Sequence, residues 1–94
     1  MARALWRGQV VAETDAPVIF DRNVYFPPAA LKQGFFRASD HSSVCPWKGT
    51  AGYFTLVDGA AESVNAAWVY RDPKPEAAVI RDHVAFWKDV VVEA

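Results

Sequence analysis

The run Thr50-Ala51-Gly52-Tyr53-Phe54-Thr55-Leu56-Val57-Asp58-Gly59, continued by residues 60–70, decides how this chain folds. Its side chains alternate, with Tyr53, Thr55 and Val57 on one face of an extended strand and Gly52, Phe54 and Leu56 on the other. Asp58-Gly59 suits a tight hairpin turn, because glycine enters the left-handed backbone region without steric cost. The returning run would put Ala66, Trp68 and Tyr70 on one face and Asn65, Ala67 and Val69 on the other, so Tyr53 and Trp68 are expected in one sheet.

Towards the N-terminus the same period recurs. Residues 4–13 form two β-like runs hinged at Gly8, and Val18-Ile19-Phe20 and Val24-Tyr25-Phe26 flank Asp21-Arg22-Asn23 as a second hairpin. Pro27-Pro28 ends that strand, and residues 29–33 before Gly34 have the composition of one or two helical turns. Phe35-Phe36-Arg37 reads as a short strand entering a loop over residues 39–49.

Towards the C-terminus, Asp72-Pro73-Lys74-Pro75-Glu76 resembles a helix start with Asp72 as cap. Ala77, Ile80, Val84 and Trp87 keep helical spacing, yet residues 84–87 and 90–92 around Lys88-Asp89 also read as a β-hairpin. A short helix to about Asp82 followed by strands is expected. The fold class is therefore mainly β (β-rich α+β): a compact antiparallel sheet or barrel-like single domain over residues 1–94, with one or two short helices.

Composition narrows the function classes. The chain has 94 residues, 52% of them hydrophobic, with four Trp, three Tyr and six Phe, enough apolar material for one core. Ten basic and eleven acidic residues leave a net charge of -1, which offers no basic field to a nucleic-acid backbone. One cysteine cannot form an intramolecular disulfide, and no apolar run is long enough for a signal peptide or membrane span, so a cytoplasmic location is expected. One cysteine and two distant histidines give no metal-ligand spacing, and neither metal nor cofactor is expected.

Chemistry concentrates in Ser39-Asp40-His41-Ser42-Ser43-Val44-Cys45-Pro46-Trp47-Lys48-Gly49. Cys45 becomes a nucleophile only as thiolate, which a nearby Lys48 or protonated His41 would favour; otherwise it is a small packed hydrophobe. Lys48 beside Gly49 lacks the glycine-rich run of a phosphate loop, but a lysine among aromatics can hold a carboxylate or phosphate; the alternative is a solvated surface lysine. Trp47, Tyr53, Trp68 and Tyr70 can wall a pocket or fill a core, with Asn65 and His41 at its margin. His83 reads as a structural histidine.

The elements Cys45-Pro46-Trp47-Lys48-Gly49, Tyr53-Phe54, Asn65-Ala66-Ala67-Trp68-Val69-Tyr70 with Pro73 and Pro75, and Ile80 with His83-Val84-Ala85-Phe86-Trp87 together resemble the domain of unknown function 427 family over nearly the whole chain. The resemblance implies a compact β-rich domain and favours strands after Asp82. It marks Cys45, Pro46, Lys48, Gly49, Tyr53, Trp68 and Tyr70 as motif positions and brings no established activity. The family's occasional nucleotidyltransferase-like label finds no Gly-Ser with paired metal-binding carboxylates here.

The expected function is binding of a small ligand, an anion among the options, in an aromatic-lined pocket around the Cys-Pro-Trp-Lys-Gly loop. The candidates are Trp47, Lys48, Tyr53, Trp68, Tyr70, His41 and Asn65. The alternatives are a cysteine-dependent enzyme with Cys45 as nucleophile, and a protein-interaction or homodimerisation module. A small-molecule partner is expected, with no nucleic acid and no membrane.

Overall fold

Paired left-handed residues make the first two turns. Arg7 (φ 55°) and Gly8 (φ 73°) join β1 (Ala2–Trp6) to β2 (Gln9–Thr14), and Asp21 (φ 50°) and Arg22 (φ 69°) join β3 (Val18–Phe20) to β4 (Asn23–Tyr25). Two successive positive φ values match the twist of the flanking strands, which is why both turns can be this short. A computed structural model describes Met1–Ala94.

The expected central hairpin is present. β6 (Gly49–Asp58) and β7 (Ala61–Val69) run antiparallel, Tyr53 stands opposite Trp68, and the turn itself is Gly59-Ala60 with Asp58 still in the strand. With β5 (Phe36–Cys45) and β8 (Val84–Phe86) they form a sheet in the order β5-β6-β7-β8. β9 (Val91–Glu93) pairs with β1, giving a second sheet in the order β2-β1-β9, and β3–β4 is a separate ribbon. Phe26 and Val84 exchange backbone hydrogen bonds of 2.8 Å in both directions, which ties that ribbon's end to β8.

The larger sheet is covered on both faces. Phe54, Leu56, Ala67, Val69, Val84 and Phe86 pack against Trp6, Val11, Ala12 and Phe26. On the opposite face Ala51, Tyr70 and Ala85 meet Tyr25, Ala77 and Ile80, with Cys45, Tyr53, Trp68 and Phe20 around them. Full burial of side chains such as Phe26, Leu56 and Ile80 contributes about 1.5–3 kcal/mol each.

Four expectations are corrected in detail. Residues 39–49 are mostly strand, because β5 pairs with β6 up to Cys45↔Gly49, and only Pro46-Trp47-Lys48 remains as turn. The short helices are 3-10 turns, at Pro28–Ala30, Gln33–Phe35 and Pro75–Ile80. The last is interrupted at Ala77 (φ -115°), and it starts after Lys74, so Asp72 does not cap it. Residues 84–92 do form strands, but β8 and β9 join different sheets instead of each other, with Lys88 (φ 59°) turning the chain between them.

Candidate functional site

The β5–β6 turn is where the sequence candidates converge. Two of its carbonyls are held from the far side of the fold: the Lys74 backbone N–H donates to the Lys48 carbonyl at 2.8 Å, and the Lys74 ammonium donates to the Pro46 carbonyl. Gly49 is needed at φ +121°, and a Cβ there would stand 3.4 Å from the Asp72 carbonyl oxygen. The turn is therefore pinned to the segment leading into the last 3-10 turn, and its side chains are fixed in direction.

Lys48 points inward, and the solvated-lysine alternative falls. Its side chain is 9% exposed, and its ammonium meets Asp21 Oδ2 at 2.6 Å. The same ammonium lies 5.4 Å from the Trp47 ring centroid and 5.9 Å from that of Tyr70, within cation–π range. Burial alone would push the Lys48 pKa down; the Asp21 carboxylate and the phenols of Tyr25 and Tyr70 outweigh it and hold the ammonium above its ordinary value.

Around that cation the aromatic groups touch one another. Trp47 lies 5.5 Å from Phe20, centroid to centroid, and Phe20 meets Tyr25 edge-on at 6.5 Å. Trp68 Nε1 donates to the Tyr25 hydroxyl at 3.2 Å, and the two rings are perpendicular. Burial raises the pKa of both Tyr25 and Tyr70, while Lys48 works in the opposite direction on each; a Cys45 thiolate would oppose ionisation of either phenol.

Tyr53 borders this cluster and turns its hydroxyl to the rim, 2.7 Å from Ser43 Oγ, with the His41 ring tilted against its own at 4.6 Å between centroids. Asn65 serves a different arrangement. It sits at φ 57° where β7 bulges against β6; its N–H donates to Thr55 Oγ1 at 3.2 Å, Ser39 Oγ contacts its Oδ1 at 2.6 Å, and Trp87 Nε1 donates to its carbonyl at 2.6 Å. His83 Nδ1 lies 2.8 Å from the Arg81 carbonyl oxygen.

The structure thus gathers Cys45, Trp47, Lys48, Tyr53, Trp68 and Tyr70, keeps His41 on the outer strand in contact with Tyr53 alone of these rings, and makes Asn65 a bulge residue. Three participants escape the sequence reading: Asp21, Phe20 and Tyr25, all from the β3–β4 ribbon. The available signal is the hairpin alternation, which pairs Val18 with Tyr25 and so predicts an apolar face in search of a second layer.

The rings pack together and do not enclose a cavity. None of the three surface hollows is walled by Trp47, Tyr53, Trp68 or Tyr70; the one beside the turn, about 450 Å³, is lined by Ser42, residues 49–52, Arg71, Asp72 and Lys74. No three His, Cys, Asp or Glu side chains converge as a metal-ligand set, and no helix is long and apolar enough to cross a membrane. No curated protein matches the chain. A family model does, described as "Domain of unknown function (DUF427)" and aligned over residues 1–94, and the chain belongs to that family.

Proposed function

We propose that this domain binds a small anionic ligand at Lys48, the ligand's carboxylate or phosphate taking the place of the Asp21 carboxylate. The observation that supports this reading is the asymmetry of the pair. The cation is sunk between two rings, whereas its counter-ion is 45% exposed on a two-residue turn and can swing away without disturbing the core. Trp47, itself 43% exposed, would close over the bound group. A single thiol without a disulfide partner supports action in a reducing compartment such as the cytoplasm.

Titration with inorganic phosphate and with acetate, read by tryptophan fluorescence with Trp47→Phe identifying the share that Trp47 contributes, tests the reading. Saturable quenching that is lost in Lys48→Met and strengthened several-fold in Asp21→Asn, where the internal competitor is gone, supports it. Equal response in all three proteins would sink it.

Cys45 packs against the cluster of Tyr25 and Tyr70 at the start of the turn that carries Lys48, which supports a second reading, cysteine-dependent catalysis. Iodoacetamide labelling across pH 5 to 10 separates the two. A native-state midpoint well below that of the denatured chain favours a nucleophile, and protection at every pH removes that reading.

A further inference from the structure

On the face of the sheet away from Lys48, a hollow of about 280 Å³ opens beside β6, β7 and β8. Its walls include Leu31, Phe54, Val69 and Val84, and the lining also holds Arg71 and Asp82, with Pro28 and Gln33 completing it. The two charged residues meet here because Tyr70 bridges Arg81 in parallel and the Asp82 N–H donates to the Tyr70 carbonyl at 3.0 Å. The chain positions that follow, Arg71 and Asp82, are thereby set at the same end of the sheet.

Neither charge is neutralised within the protein. The ion pairs are Arg3–Glu13, Arg7–Asp58, Arg37–Glu62, Lys48–Asp21 and Arg81–Asp72, which leaves the Arg71 guanidinium without a carboxylate within 4.0 Å and Asp82 without a cation. Both residues are exposed: the Arg71 guanidinium lies 5.7 Å from the Phe54 ring centroid, and the Asp82 backbone is held at φ 62° with its N–H on the Tyr70 carbonyl. One hollow therefore presents a cation, an anion and an apolar wall, with the charges too far apart to satisfy each other.

We infer that this hollow is a binding site for a small α-amino acid with an apolar side chain. Its carboxylate takes the planar fork of Arg71, which suits a bidentate contact. Its ammonium faces Asp82, and its hydrocarbon lies against Leu31, Phe54, Val69 and Val84. A plain carboxylate would be repelled by Asp82 and a plain amine by Arg71, so the pair selects a zwitterion. The volume is just below the range of about 300–1,000 Å³ usual for larger ligands, which suits a single residue. The inference is independent of the Lys48 reading.

The test is a titration of the 15N-labelled protein with L-leucine, 4-methylpentanoate and 3-methylbutylamine, followed by amide chemical shifts. These probes share a hydrocarbon chain and differ in which charges they carry. Leucine is expected to shift the amides of Phe54, Val69 and Val84 saturably, each analogue to bind at least tenfold more weakly, and Arg71→Gln or Asp82→Asn to weaken leucine at least tenfold. Asparagine tolerates the left-handed conformation, so Asp82→Asn keeps the fold. Absence of saturable leucine shifts at Phe54, Val69 and Val84 would overturn the site, and either analogue shifting those three amides with an affinity equal to leucine's would overturn its zwitterion selectivity.

Discussion

Lys48 and Asp21 are joined by a 2.6 Å ion pair in which one partner is almost wholly enclosed and the other is nearly half in water. Removing the outer partner leaves a charge in an apolar setting, whereas removing the inner one exchanges that charge for hydrocarbon. Asp21→Asn is therefore expected to cost about 1–3 kcal/mol in urea unfolding, and Lys48→Met less than that. A larger loss for Lys48→Met would show that the cation itself holds the two hairpins together.

Stability should fall steeply in alkali. Lys48, Tyr25 and Tyr70 all hold their protons more tightly in the folded chain than in the unfolded one. Their contribution is complete below the unfolded values of about 10 and is lost as pH rises through the folded ones. Urea midpoints measured from pH 8 to 11 should drop across that window, and Tyr25→Phe should flatten the drop. An unchanged pH profile in Tyr25→Phe would separate this tyrosine from the effect.

At the acid end the relevant group is Asp89. Its pKa is lowered mainly by the hydrogen bond from Ser63 Oγ at 2.5 Å, with Trp6 Nε1 donating at 3.2 Å as a further contribution. A depressed carboxylate stabilises the fold above its unfolded value of about 3.9 and loses that effect as pH falls through the folded value. Ser63→Ala should therefore reduce the acid sensitivity of the unfolding midpoint between about pH 5 and 2, a difference measurable by tryptophan fluorescence.

Gly49→Ala tests how firmly the site turn is pinned. The backbone there has φ +121°, and the new methyl would stand 3.4 Å from the Asp72 carbonyl oxygen and 3.5 Å from Pro73 Cα. A loss of about 1–3 kcal/mol is expected, together with a change in Trp47 fluorescence. A silent substitution would mean that the turn moves freely against residues 72–74.

Alternation in residues 50–70 is enough to place Tyr53 opposite Trp68, because that hairpin divides two differently packed faces and a period of two reports the division directly. Ser39, Asp40, His41, Ser42 and Ser43 carry no such signal. They belong to an outer strand, largely in solvent, where nothing selects apolar residues on alternate positions, so strand chemistry there resembles loop chemistry. Asn65 looks like a ligand in the sequence and acts in a bulge, since extra residues in one strand become visible only against the register of its partner. Lys48 and its aromatic neighbours are legible as a group because Cys45, Trp47 and Lys48 adjoin in sequence. Asp21 and Tyr25 arrive from a ribbon whose docking is a long-range event with no local trace.

The register break in β5 reaches beyond the site. It separates the ladder into Phe36–Ser39 and Ser42–Cys45, with Asp40 and His41 between them. A neighbouring molecule adding a strand to this border can follow only one short segment before the donors and acceptors fall out of step. A bulged, polar border of this kind resists the indefinite stacking that a flat one invites. The polar stretch that hides β5 from sequence inspection thus also works against pairing of this border with a neighbouring molecule.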